Sequence, residues 1–200
     1  MNDAMERGFE LPATVRAYLA DPAMRSAVDA LLETRSGSLP SGLRLNELAD
    51  YLAARAAAEL TKYDWSISMH ALWAVTWGAA LDAAWRPATI DEALDEEFAI
   101  TPDSCWNEGS FAFRHRRGAH TFFSAVAFDH DQTQIAFSVE TANDVLVTEA
   151  EGFAWLEDGD WTGWLVATIP YSPAHPGFTT ADLTYRVESA LAIVQDIVPR

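Results

Sequence analysis

His115 and His120 are the first residues of this 200-residue chain whose type and spacing suggest chemistry. A two-residue turn at Arg117-Gly118 would set the two imidazoles opposite each other on neighbouring strands, where they could hold one edge of a metal site. A turn at Gly118-Ala119 instead shifts the register and breaks the pair. Asp129, His130 and Asp131 look like a second ligand cluster. They lie at the far end of the same strand, roughly 30 Å from His120 at ~3.3 Å per residue. Neither group has a further ligand of the expected kind beside it, and neither HExxH nor CxxC occurs. The reading is therefore no metal site, but a hairpin histidine pair and an Asp-rich turn whose side chains bond their own backbone. Glu140, Glu149, Glu151 and Glu157 are candidate general acids or bases, yet separation and pKa decide such roles and sequence gives neither. Neither GxGxxG nor GxxxxGK followed by Ser or Thr is present, and Lys62 is the only lysine, so no nucleotide cofactor is expected. The nucleophile elbow GxSxG is missing as well.

Cys105 is the only cysteine, which rules out a disulfide within the chain. As a nucleophile it would need a base within reach and a positive field, and His115 and His120 follow downstream. Ser104-Cys105-Trp106 resembles the nucleophile region of papain-like proteases. In that family the cysteine opens a long helix, whereas here a strand is expected to follow, so Cys105 is read as a small residue where a strand begins. The segment Leu43 to Leu52 resembles the first helix of a helix-turn-helix unit. That unit next needs a turn and a recognition helix, but Ala53 to Ala58 simply continue the helix.

Charge is laid out unevenly. The formal net charge is −17, yet residues 1–62 carry 9 acids and 7 bases, while residues 118–185 carry 10 acids and no Lys or Arg. Such a field repels phosphate backbones and speeds encounter with basic partners, so nucleic acid is not an expected ligand. Within the acidic stretch Trp155, Trp161 and Trp164 surround a turn carrying Glu157, Asp158 and Asp160. Aromatics rimmed by carboxylates suit capture of an arginine-rich or otherwise cationic partner; cross-strand packing is the plainer use of the same side chains. Trp161 and Trp164 fall on opposite faces of one strand. Arg114, Arg116 and Arg117 form the one basic cluster, read as neutralising nearby carboxylates rather than binding an anion.

The elements that must position these groups follow from periodicity. Pro12 suits the first turn of a short helix to Leu19, and Asp21-Pro22 opens a second helix to about Glu33. Leu45, Leu48, Leu52, Ala56 and Leu60 form a stripe at helical spacing. Asp64 or Ser66 is expected to cap a further helix, in which Trp65, Met69, Trp73, Trp77, Leu81 and Trp85 recur every fourth residue as core. Thr89-Ile90-Asp91-Glu92 fits a capping box for a short helix to Phe98. Beyond Pro102 the period becomes two, with strands around Phe111–His115, His120–Phe128, Ile135–Val139, Phe153–Leu156 and Trp161–Ile169. A last helix carries Leu183, Val187, Ala190, Leu191, Val194 and Val198 on one face.

These elements predict an α+β fold. An N-terminal helical layer packs on an antiparallel meander sheet of about five strands, closed by a C-terminal helix. One domain is expected over 1–200, helical in 1–100 and sheet plus helix in 101–200. One face of the sheet should pack on helices and the other meet water. The N-terminus carries no secretory h-region, and the uncharged run Trp65 to Leu81 is short and polar for a membrane span, so a cytoplasmic protein with no membrane role is expected. The functional expectation is a non-catalytic acidic protein that binds a basic protein partner, as an inhibitor, immunity factor or chaperone-like adaptor would. The partner-binding residues are Trp155, Glu157, Asp158, Asp160, Trp161 and Trp164, with no cofactor and no metal. The alternative is a small-molecule enzyme or binder with a carboxylate and histidine pocket between sheet and helices.

Overall fold

Proline and aspartate set the first helices. A computed structural model describes residues 9–33, 40–81, 86–87, 106, 109–129, 134–141, 145–146, 150, 152–158, 161–170, 177–178 and 181–198. Pro12 precedes α1 (Ala13–Ala20), and α2 (Pro22–Glu33) follows after Asp21, whose carboxylate accepts the Ala23 N–H at 2.8 Å. Tyr18 of α1 donates to Asp29 of α2 at 3.0 Å. A short β1 (Phe9–Glu10) runs beside a late strand, β8 (Gly177–Phe178).

The two middle helices expected from the sequence are one. α3 runs unbroken from Leu45 to Val75, 31 residues. Asp64, expected as a cap, sits mid-helix and accepts a hydrogen bond from Thr14 of α1. Ser66 does not cap either: Thr61, Ser66 and Ser68 all turn their hydroxyls onto the carbonyls four residues back, at 3.0, 3.1 and 2.6 Å. Those bonds let short polar side chains lie buried on the inner face of a helix without an unsatisfied group. Thr76 breaks the run with its hydroxyl on the Leu72 carbonyl, and α4 (Trp77–Ala80) follows. The inner face of α3 carries Ala58, Trp65, Met69 and Leu72 into the core, and α4 adds Trp77. The stripe through Leu45, Leu52 and Leu60 faces outward instead.

The sheet is six-stranded and antiparallel, in the order β2 (Arg86–Pro87), β3 (Ser110–Arg117), β4 (His120–Asp129), β5 (Gln134–Thr141), β7 (Trp161–Pro170), β6 (Ala154–Asp158). The strand beyond the expected five is the two-residue β2. The meander holds through β5, and then the last two strands exchange places, with β7 inside and β6 at the edge. Composition explains the exchange. β7 buries Gly163, Trp164, Val166 and Ala167, as a strand with neighbours on both sides must, whereas β6 ends on charge that suits an edge. The C-terminal helix α5 (Ala181–Ile197) packs on β7 and α4, burying Leu183, Val187, Ala190, Leu191 and Val194.

Helices cover the face that carries Phe111, Phe122, Val126, Phe137, Val139 and Trp164. The opposite face does not simply meet water, as alternation alone suggests. Phe123, Ala125 and Ser138 are buried there. Phe123 lies under the Arg114 guanidinium, 4.7 Å from the ring centre, and takes the edge of Trp161 at 4.5 Å. Gly163 makes room on this face: a Cβ on it would sit 2.3 Å from the Val139 carbonyl oxygen and 2.9 Å from the Glu140 Cα. Backbone atoms cannot yield as a flexible side chain can. Gly163→Ala should therefore destabilise by about 1–3 kcal/mol, measured by chemical denaturation; a variant as stable as the parent would show that β5 and β7 lie further apart. The expected helix from Thr89 to Phe98, the turn residues His130 and Asp131, Trp85 and Cys105 lie outside the described residues. No helix among the described residues is long and apolar enough to cross a membrane.

Candidate functional site

The hairpin of β6 and β7 divides the six residues singled out by sequence. In its ladder Trp155 faces Trp164, Glu157 faces Thr162 and Asp158 faces Trp161. Residues directly opposite share a face, so Trp155, Trp164 and Glu157 belong to the helix-covered side and Trp161 to the other. Trp164 is fully buried, with its ring stacked on Phe153 at 5.8 Å. It supports the edge from within and offers no surface. Trp161 is half-buried against Phe123. Asp158 is placed by its backbone at the end of β6, and Asp160 lies outside the described residues.

What stands outward is the pair Trp155 and Glu157. They are two residues apart on an edge strand, so their side chains leave on the same side. The Trp155 indole N–H donates to a Glu157 carboxylate oxygen at 2.8 Å. Glu157 is exposed and Trp155 half-buried. The bond holds an anion beside the rim of an aromatic ring whose ladder partner, Trp164, is buried and stacked on Phe153. A guanidinium or ammonium group arriving there meets a ring face and a carboxylate together.

The histidines do not pair. The turn falls at Gly118-Ala119, with Gly118 at φ 58°, so Arg117 faces His120 and His115 faces Phe122. His115 instead joins a buried network that sequence alone did not reveal. Trp73 of α3 donates its indole N–H to Ser124 Oγ at 2.9 Å and to the Ser124 carbonyl at 3.1 Å. The Ser124 hydroxyl shares a hydrogen bond with His115 Nε2 at 2.9 Å and reaches the Phe113 carbonyl, which accepts, at 3.5 Å. Trp73 stacks parallel to the imidazole, 5.7 Å away at 8°. Burial pushes the His115 pKa down to about 4. A serine hydroxyl on a histidine nitrogen is the contact of a nucleophile and its base. Here both are buried, at 2% and 4% exposure, and the oxygen already accepts a bond from Trp73. The network fastens α3 to the sheet.

The arginine cluster also separates. Arg114 and Arg116 share one face, while Arg117 points to the other and is buried. Its Nε donates to the Val198 carbonyl at 2.8 Å, placing a cation at the negative end of α5. Strand alternation contained that signal; adjacency in sequence hid it. Among the described residues no three or more His, Cys, Asp and Glu come together as a metal site would require. No family model, no curated protein and no solved structure matches the chain.

Proposed function

We propose that the protein is a non-catalytic interaction protein whose acidic sheet half binds a basic protein partner, as an inhibitor, immunity factor or chaperone-like adaptor would. One observation carries the reading: an exposed carboxylate, Glu157, is fixed by an indole N–H beside Trp155 on the outermost strand of the sheet. Glu157 belongs to the stretch 118–185, which is acidic and contains no lysine or arginine. Asp158 and Trp161 pair at the end of the same hairpin, Asp160 lies between them in sequence, and the buried Trp164 lies behind Trp155 in the ladder. The alternative, a small-molecule enzyme or binder, would draw on His115, and the closed packing around that ring gives it less support.

Capture of a basic protein from cell extract, at low and high salt, tests the proposal. Retention should fall steeply as the Debye length shrinks from about 10 Å at 0.1 M to about 3 Å at 1 M. Reversing charge with Asp158→Lys and Asp160→Lys should abolish it. Retention indifferent to both changes overturns the reading.

A further inference from the structure

Trp155 and Glu157 also hold an open margin of the sheet. β6 is an outermost strand, and its ladder partner is β7 alone. That ladder starts at a tight turn, where Asp158 faces Trp161. Residues flanking a two-residue hairpin turn exchange both of their backbone bonds, and the exchange recurs at every second pair. Asp158, Leu156 and Ala154 therefore direct N–H and C=O inward to β7, while Glu157 and Trp155 direct theirs outward. Phe153 ends the row, because its N–H turns back to the Ala150 carbonyl at 3.2 Å. Among the described residues the outward backbone groups of Trp155 and Glu157 meet no partner. An open strand edge is a template for another strand.

We propose that the basic partner docks by adding an extended segment to this edge as a further antiparallel strand, with arginine or lysine at alternate positions and apolar residues between them. The proposal rests on the reading of Trp155 and Glu157 as a cation-binding pair and adds how the cation is delivered. Every ladder of the sheet is antiparallel, and a strand that keeps that sense makes the more stable pairing. In such a strand the residues opposite Trp155 and Glu157 exchange backbone bonds with them and share their face, with Cβ atoms about 5 Å away. A basic side chain at either place reaches the ring and the carboxylate that the indole bond holds together. The residue between falls on the other face, beside the exposed Ala154 and the half-buried Leu156, where an apolar side chain fits. Backbone pairing supplies affinity and the alternate side chains supply selection. Charge chooses the occupant. Glu157 is exposed, and the acidic stretch that contains it has no lysine or arginine. A second copy of this chain carries the same acidic edge and the same net −17, and is repelled.

The probe is a short peptide of alternating arginine and valine, with acetyl and amide ends, added in excess to the full chain. Amide hydrogen exchange, read residue by residue by NMR, should slow about tenfold or more at Trp155 and Glu157. At Leu156, whose N–H is already spent on β7, it should stay as it was. N-methylation of the peptide's arginines keeps their charge and removes the N–H groups that face β6. It should weaken binding about thirtyfold, the effect of losing two net hydrogen bonds. The same methylation on the valines, whose N–H groups face away, should change affinity little. Exchange at Trp155 and Glu157 unaltered by bound peptide, or affinity indifferent to arginine methylation, overturns strand addition and leaves the cation-binding reading standing. A peptide that does not bind overturns both. Exchange at Trp155 and Glu157 that slows with protein concentration alone means that β6 pairs with its own copy, and overturns the proposed partner.

Discussion

Trp77→Ala lowers the stability of the fold by about 4 kcal/mol, read from the midpoint of urea denaturation. Trp77 opens the four-residue α4, directly after the break at Thr76, and is 0% exposed. Its indole N–H donates to the Ala125 carbonyl at 3.1 Å, so it binds the end of the long helix to the middle of β4. Removal of the ring leaves a cavity among packed side chains and a carbonyl without its donor. The first loss dominates, because a net hydrogen bond is worth only about 1 kcal/mol. Trp77→Phe separates the two: it restores most of the volume without the donor and should recover more than half of the stability. A midpoint unchanged in Trp77→Ala would mean that α4 does not pack on the sheet.

Acid should act on the fold through His115. Its pKa is ordinarily 6.5 and is held near 4 by burial. Below pH 6.5 the unfolded chain takes up a proton that the folded chain refuses, so stability is fully present above 6.5 and is lost as the pH falls towards 4. Integrated over that interval the loss is about 3 kcal/mol. His115→Phe keeps a ring stacked on Trp73 and removes the titration. Ser124 retains its donor, Trp73, and an acceptor in the Phe113 carbonyl. Unfolding free energies of parent and variant, measured from pH 7.5 to 4, should therefore converge as the pH falls. Parallel curves would show that the imidazole is hydrated.

Local signals in the sequence carried far, and long-range ones did not. Asp21-Pro22 placed the start of α2 because cap and proline act within one turn. The division of α3 at Asp64 failed because Thr14, 50 positions away, takes that carboxylate. The stripe through Leu45 and Leu60 was visible as a pattern, but a pattern does not say what covers it. The exchange of β6 and β7 depends on which strand can bear an exposed edge, a property of the assembled sheet. At the candidate site the pairing of Trp155 with Glu157 was readable from a spacing of two on a strand. The burial of Trp164 was not, since it needs Phe153 and the core beneath. Arg117 shows alternation overriding adjacency: two arginines one and three positions before it face the other way. The Trp73, Ser124 and His115 network joins residues 51 and 9 positions apart and left no local trace.

The edge formed by Trp155 and Glu157 is the centre of the functional account, and titration with an arginine-rich peptide, followed by indole fluorescence, addresses it most directly. Any protein this acidic attracts such a peptide, so the decisive quantity is the difference between two single neutralisations. Glu157→Gln should weaken binding about tenfold, and Asp50→Asn, which removes an equal charge from the exposed surface of α3, should leave it nearly unchanged. Equal losses from both would mean that the peptide senses net charge alone, and would contradict a dedicated cation-binding edge on β6.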